Sequence, residues 1–152
     1  IIRWRIPVCY ENEYAPDIDD VSRSLKVSTS EIIKQHTSVE LEVFMMGFLP
    51  GFPYLGLLPE VFDLPRRVEP RVHVPPRSIS VAARQTTIYT IDSPGGWHLI
   101  GQTPVDFYDP NRENPVLVKA GDKVSFFAID SKEYPAVRRA LKADEYPLIM
   151  DC

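Results

Sequence analysis

Seven of the chain's fifteen prolines fall between Pro50 and Pro76, so the long segment 47–76 cannot be a helix. Each proline removes a backbone donor, and its ring clashes with the preceding turn. A non-helical segment of that length is a functional loop, or it conceals short edge strands. Six of the seven glycines cluster as well, in Gly47 to Gly56 and Gly95 to Gly101, with Gly121 alone. Tight turns are therefore concentrated in two places, and long helices have little room.

Helical patterning survives at three sites. Asp17–Leu25 carries Ile18, Val21 and Leu25 on one face, with acidic residues in its first turn. Ser28-Thr29-Ser30-Glu31 is a capping box, flanked by Val27 and Ile32 as a hydrophobic staple, and predicts a short helix ending near His36. Ser131 to Lys142 places Tyr134, Val137 and Leu141 together, with Pro135 in the first turn.

Most other segments alternate. Ile1, Trp4, Ile6 and Val8 read as a strand, as do Val39–Met45, Ser78–Ala82 and Thr86–Ile91. Asp92–Gly96 predicts a turn and Trp97–Ile100 an extended segment. Val116–Val118 and Lys123–Ile129, joined through Lys119–Asp122, predict a strand–turn–strand pair. Short strands separated by turn signals give a mainly-β barrel or sandwich with short flanking α-helices.

A length of 152 residues suits one domain over 1–152, with a barrel over about 1–130 and a helix and tail over 131–152. Seventeen basic against 21 acidic residues, a net charge of −4, argue against a nucleic-acid partner. No apolar run approaches the ~18 residues of a membrane span, so no membrane association is expected. Cys9 and Cys152 form no disulfide framework, which fits a reducing, cytoplasmic setting. The chain opens on Ile1 rather than Met, already in a strand pattern and without a signal-peptide h-region. It is expected to be the C-terminal part of a longer protein.

The sequence has no Gly-x-x-x-x-Gly-Lys, Gly-x-Gly-x-x-Gly or Gly-x-Ser-x-Gly motif. His36, His73 and His98 lack paired ligand spacing, so no metal site is predicted. Two stretches stand out instead. Met46–Gly56 combines stiffened turns with apolar walls from Phe48, Phe52 and Tyr54, suited either to a pocket, to a partner surface or to plugging a barrel end. Ser93–Gly101 opens with paired glycines whose backbone N–H groups can face an anion, beside Trp97; a plain β-turn is the simpler alternative. Arg66 and Arg71 each follow a proline, with Arg67, Arg77 and Arg84 nearby: a basic cluster that suits a carboxylate or phosphate, or that balances acidic neighbours.

The order of these motifs resembles one family. Gly47-Phe48-Leu49-Pro50-Gly51-Phe52-Pro53-Tyr54-Leu55, Pro65-Arg66, Pro70-Arg71, Gln85-Thr86, Ile88-Tyr89, Ser93–Trp97 and Leu99–Pro104 follow in its sequence. So do Ile6–Tyr10, Pro16-Asp17 and His36-Thr37 upstream. The family is the KipI-like one, also described as allophanate hydrolase subunit 1, the B subunit of 5-oxoprolinase, or carboxyltransferase domain subdomains C and D. The resemblance covers about residues 5–129 and implies a cyclophilin-like β-barrel.

It also implies a subunit of an ATP-dependent amidohydrolase-type complex, such as 5-oxoprolinase or an allophanate or urea amide-processing enzyme, acting with a KipA-like partner. The alternatives are an inhibitor that binds a sensor histidine kinase through Phe48, Phe52 and Tyr54, and a diverged non-catalytic barrel. The substrate-binding residues so implied are Arg66, Arg71, Gln85, Thr86, Tyr89, Gly95, Gly96 and His36, with ATP supplied alongside the partner and no general base assigned. The chain departs from the family pattern by placing Arg77, Ser80, Ala83 and Thr87 at glycine positions, Thr90 at a proline and Gln102 at an arginine. Side chains there would occupy space where a ligand could approach bare backbone.

Overall fold

Alternating apolar residues make the first strand, β1 (Arg3–Cys9), whose Trp4, Ile6 and Val8 are buried. The structure, a computed structural model, describes residues 1–150. Two short helices follow, α1 (Ile18–Leu25) and α2 (Thr29–Thr37). Ser28 Oγ accepts from the Glu31 N–H at 3.0 Å, so the cap starts α2 as predicted. Glu31 does not complete the box, because its carboxylate accepts from Gln35 at 2.7 Å instead. Asp17 precedes α1 in a non-helical conformation, and its side chain is used elsewhere.

The remaining strands are β2 (Leu41–Met46), β3 (Pro53–Gly56), β4 (Arg71–Val74), β5 (Ser78–Ala82), β6 (Gln85–Ile88), β7 (Ser93–Gly95), β8 (His98–Gln102) and β9 (Lys123–Ile129). A last helix, α3, spans Glu133–Lys142. Seven strands close a barrel in the order β1-β8-β5-β6-β3-β2-β9, and β4 with β7 forms a separate two-stranded ribbon. The barrel closes where β1 runs parallel to β9, Arg3 opposite Lys123 through Cys9 opposite Ile129. Closure leaves no end strand in the described barrel, with β1 meeting β8 at Cys9 and Gln102. The mainly-β barrel with short flanking helices is therefore the fold of this chain.

Alternation sorts each wall strand into two faces. Leu55, Ile79, Val81, Ile88 and Ile100 point into the barrel core. Phe52, Tyr89 and Leu99 belong to a second apolar cluster with Val74 of the ribbon, and Tyr54 packs against it. Register places Tyr54 opposite Thr87, Thr87 opposite Ser80, and Ser80 opposite Leu99. That row lies on the outer face of the wall, beneath the second cluster.

Four local expectations differ from the outcome. The proline-rich segment holds β3, a wall strand between β2 and β6 rather than an edge. Pro53 is tolerated there because it is the strand's first residue. Ser93–Gly95, expected as a turn, pairs with β4, with Gly95 opposite Arg71 and Ser93 opposite Val74. The strand expected from Thr86 to Ile91 stops at Ile88. Val116–Val118 forms no strand: Val116 makes a single bridge to Tyr108. Cys9 is a buried thiol, and Cys152 lies outside the described residues.

Candidate functional site

Tyr54 of β3, Tyr89 just beyond β6, the 47–52 turn, the 65–70 loop and the Gly95–Trp97 stretch line a cavity of about 390 Å³. Gly51 makes the turn possible: its φ is +69°, and a Cβ there would lie 2.8 Å from the Phe107 carbonyl oxygen. The turn folds Phe52 inward, where its ring meets Tyr54 at 5.1 Å and Tyr89 at 5.2 Å, edge to face. Phe48 packs on Phe52 at 5.3 Å, and Tyr54 reaches Trp97 at 6.3 Å.

A buried carboxylate holds the opposite wall. Asp17, 2% exposed, accepts from Arg71 at 2.5 and 2.6 Å, from Arg67 at 2.8 Å and from the Leu99 N–H at 2.7 Å. The Arg67 N–H donates to the Gly96 carbonyl at 2.7 Å, and His98 donates to the Pro65 carbonyl at 2.8 Å. Loop 65–71 is thus fastened to β8 and to the glycine pair. Burial raises the Asp17 pKa, but the hydrogen bonds from Arg71 and Leu99 and the charges of Arg71 and Arg67 outweigh it, leaving the group below its ordinary value.

Of the residues expected at the site, Arg66, Tyr89, Gly95 and Gly96 line the cavity, together with Phe48, Phe52 and Tyr54. Arg71 does not line it, because Asp17 takes its guanidinium. His36 and Thr86 sit inside the barrel, both fully buried. Thr86 Oγ1 donates to the Ser80 carbonyl, so it accepts from His36 Nε2, 3.1 Å away, and Tyr10 donates to His36 Nδ1 at 2.7 Å. The ring stacks on Phe126 at 4.7 Å. Burial pushes the His36 pKa down to about 3, so the imidazole is neutral. Gln85 is half-buried at the far end of β6, opposite Gly56 and Ala82.

The residues expected to depart from the family pattern have local uses. Arg77 and Ala83 keep the left-handed backbone that glycine favours, with φ of +70° and +48°. Ser80 and Thr87, both fully buried, bond to each other through their hydroxyls under the aromatic cluster. Thr90 donates to the Pro50 carbonyl at 2.7 Å, and Gln102 to the Pro76 carbonyl at 2.9 Å.

Electrostatically the cavity is one-sided. The Arg66 guanidinium, the Tyr54 and Tyr89 hydroxyls and the Trp97 indole N–H have no hydrogen-bond partner among the described residues. Among the described residues, no carboxylate lines the cavity. Burial pushes the Tyr89 phenol up to about 12, with Tyr54 adding to the rise and Arg66 opposing it, so the hydroxyl keeps its proton. Among the described residues, no group of three or more His, Cys, Asp or Glu is arranged to hold a metal ion. No described helix is long and apolar enough to cross a membrane.

Asp17, which anchors the cavity loop, is the residue of this region that the motifs do not single out. Its signal is present in Pro16-Asp17, but an acid at a helix start has an ordinary explanation.

Comparison with known proteins identifies the family. Residues 2–118 match the model of the carboxyltransferase domain, subdomain C and D. The B subunit of 5-oxoprolinase from Bacillus subtilis is 43% identical over 133 residues, covering 88% of this chain and 55% of that protein. Its Escherichia coli O157:H7 counterpart is 45% identical over 121 residues, covering 80% and 56%. The chain spans about half the length of these curated relatives. A conserved uncharacterized protein from Pyrococcus horikoshii superposes with a TM-score of 0.82 at 41% identity, covering 87% of this chain and 61% of that one. The Kluyveromyces lactis urea carboxylase shares the fold at a TM-score of 0.76 and 16% identity, over 96% of this chain and 15% of its own. The sequence match and the barrel that carries the matched segments agree: this chain belongs to the carboxyltransferase domain, subdomain C and D family.

Proposed function

We propose that this barrel is part of a subunit of an ATP-dependent amide-processing complex that opens 5-oxoproline or a related amide, working with a KipA-like partner. The observation that carries the proposal is the donor-lined, carboxylate-free cavity built from the segments shared with the B subunit of 5-oxoprolinase. Such a cavity suits a small anionic substrate with an apolar body. Arg66 supplies the charge, and the aromatic walls exclude water and hold the ring.

Among the described residues, the cavity walls contain no histidine or carboxylate to move a proton. We therefore assign the general base to the partner, which makes the site composite. ATP does not suit this cavity either: it has one unpaired guanidinium and no glycine-rich phosphate loop, so we assign the nucleotide to the partner as well. The chain is read as the barrel portion of a longer protein in a cytoplasmic complex.

The test is 5-oxoproline-dependent ATP hydrolysis by the full-length protein coexpressed with its partner, with urea and allophanate as comparison substrates. Turnover that falls at least tenfold with Arg66→Ala is expected; no amide-dependent hydrolysis rejects the proposal. A second reading rests on Phe48, 63% exposed, beside Phe44 and Met45 at 46% each: an apolar rim that binds a sensor histidine kinase. Unaltered kinase autophosphorylation at saturating protein rejects that one.

A further inference from the structure

Tyr89 is 2% exposed, yet its hydroxyl has no hydrogen-bond partner among the described residues. The hydroxyl is not sealed from water, since Arg77 Nε is the one fully buried side-chain polar atom without a partner among the described residues, and a ligand entering the cavity can replace water on it. The room it occupies is made by Gly95, where a Cβ would lie 2.3 Å from that hydroxyl. An unpartnered donor and a glycine that clears its path are both features of a ligand subsite. Arg66, by contrast, is exposed at the cavity's mouth, and its guanidinium is also unpaired.

We propose that these two residues divide the recognition of one ligand, a small cyclic carboxylic acid that also carries a neutral carbonyl oxygen. Arg66 takes the carboxylate at the rim, and the Tyr89 hydroxyl donates to the carbonyl at the floor. The division follows from desolvation. Burying a carboxylate costs far more than burying a carbonyl, so the charged end stays where water still reaches. The neutral oxygen descends to the donor that lacks a partner. This inference rests on the cavity being the substrate site, and it adds which atom each residue reads.

The experiment is calorimetric binding to the full-length protein assembled with its partner, using three probes. 5-Oxoproline carries both groups, cyclopentanecarboxylate lacks the carbonyl, and 2-pyrrolidinone lacks the carboxylate. The wild type is expected to bind 5-oxoproline about tenfold more tightly than cyclopentanecarboxylate, the scale of one hydrogen bond. Tyr89→Phe is expected to abolish that preference while leaving the thermal midpoint unchanged, because the hydroxyl supports nothing else in the chain. Gly95→Ala, which blocks the hydroxyl without removing it, should abolish the same preference. Arg66→Ala should instead abolish the preference for 5-oxoproline over 2-pyrrolidinone.

Unchanged ratios in Tyr89→Phe, a midpoint lowered by several degrees, or no 5-oxoproline binding at millimolar concentration would each overturn the inference. If the expected ratios hold but the complex never turns over 5-oxoproline, the proposed reaction fails and the recognition scheme stands. Turnover with flat ratios does the opposite: the reaction stands and the recognition scheme fails.

Discussion

Asp17 and Arg71, 54 positions apart, share two hydrogen bonds of 2.5 and 2.6 Å that pin the proline-rich loop to the barrel. The pair turns Arg71 inward and leaves Arg66 as the unpaired arginine of the cavity wall. Asp17→Asn keeps the shape but removes the charge that both Arg67 and Arg71 answer. The arginines are 23–27% exposed at their side chains, so the loss is smaller than for a fully buried pair, about 2 kcal/mol. Urea unfolding measures that loss. Titration with 5-oxoproline should show weaker binding as well, since the loop carrying Arg66 loses its anchor.

Acid should remove the same contribution. Asp17, Asp106 and Asp122 all have pKa values held below the ordinary carboxylate value in the fold. A depressed folded pKa gives stability that is full above the unfolded value, about 3.9, and lost as pH falls through the folded one. The urea midpoint should therefore drop steeply below about pH 4. In Asp17→Asn that drop should be shallower.

His36 acts over a wider window with the same sign. Its folded pKa is about 3 against an ordinary 6.5, so the unfolded chain takes up a proton that the core refuses. Stability is full above pH 6.5 and declines below it, by up to about 1.4 kcal/mol per pH unit. Unfolding free energies measured at pH 7.5 and pH 5 should differ in the wild type. His36→Gln, though less stable at neutral pH, should lose that slope.

The hydroxyl pair under the aromatic cluster should behave non-additively. Ser80→Ala strands the Thr87 hydroxyl, and Thr87→Val strands that of Ser80, each costing about 1–2 kcal/mol. The double variant removes both partners and should cost less than the two single losses combined. Additive losses in a double-mutant cycle would show that the two side chains are independent.

The β5–β6 hairpin offers a gain. Ala83 and Arg84 have φ of +48° and +61°, the paired left-handed residues of a tight hairpin turn. Ala83 is exposed, so Ala83→Gly relieves backbone strain at little cost in packing. A stabilisation of about 1 kcal/mol is expected by thermal or urea denaturation.

Elements whose pattern repeats over several residues are legible in the sequence. Ser28 marks the start of α2, and the alternation in Ser78–Ala82 and Lys123–Ile129 gives two wall strands. Pro53–Gly56 and Ser93–Gly95 are not legible as strands, because three or four residues rich in proline and glycine show no period. Their pairing is imposed by neighbouring strands. At the site, the motif order identifies the aromatic and glycine segments that meet around the cavity. It cannot say which face of β6 looks outward. Thr86 and Thr87 are adjacent and chemically alike, yet one bonds His36 inside the barrel while the other meets Ser80 on the outer face. Arg66 and Arg71 share a sequence context, and only the position of Asp17 separates their roles.

The parallel seam between β1 and β9 has a consequence for synthesis. Its partners lie 120 residues apart, as Arg3 and Lys123 do, so the seam is among the contacts with the greatest loop to close. A ribosome has made most of this chain before the cylinder can shut. Until then β1 and β2 each expose a row of unsatisfied amides, and a nascent chain stalled short of Lys123 is an open sheet with two edges free to pair elsewhere.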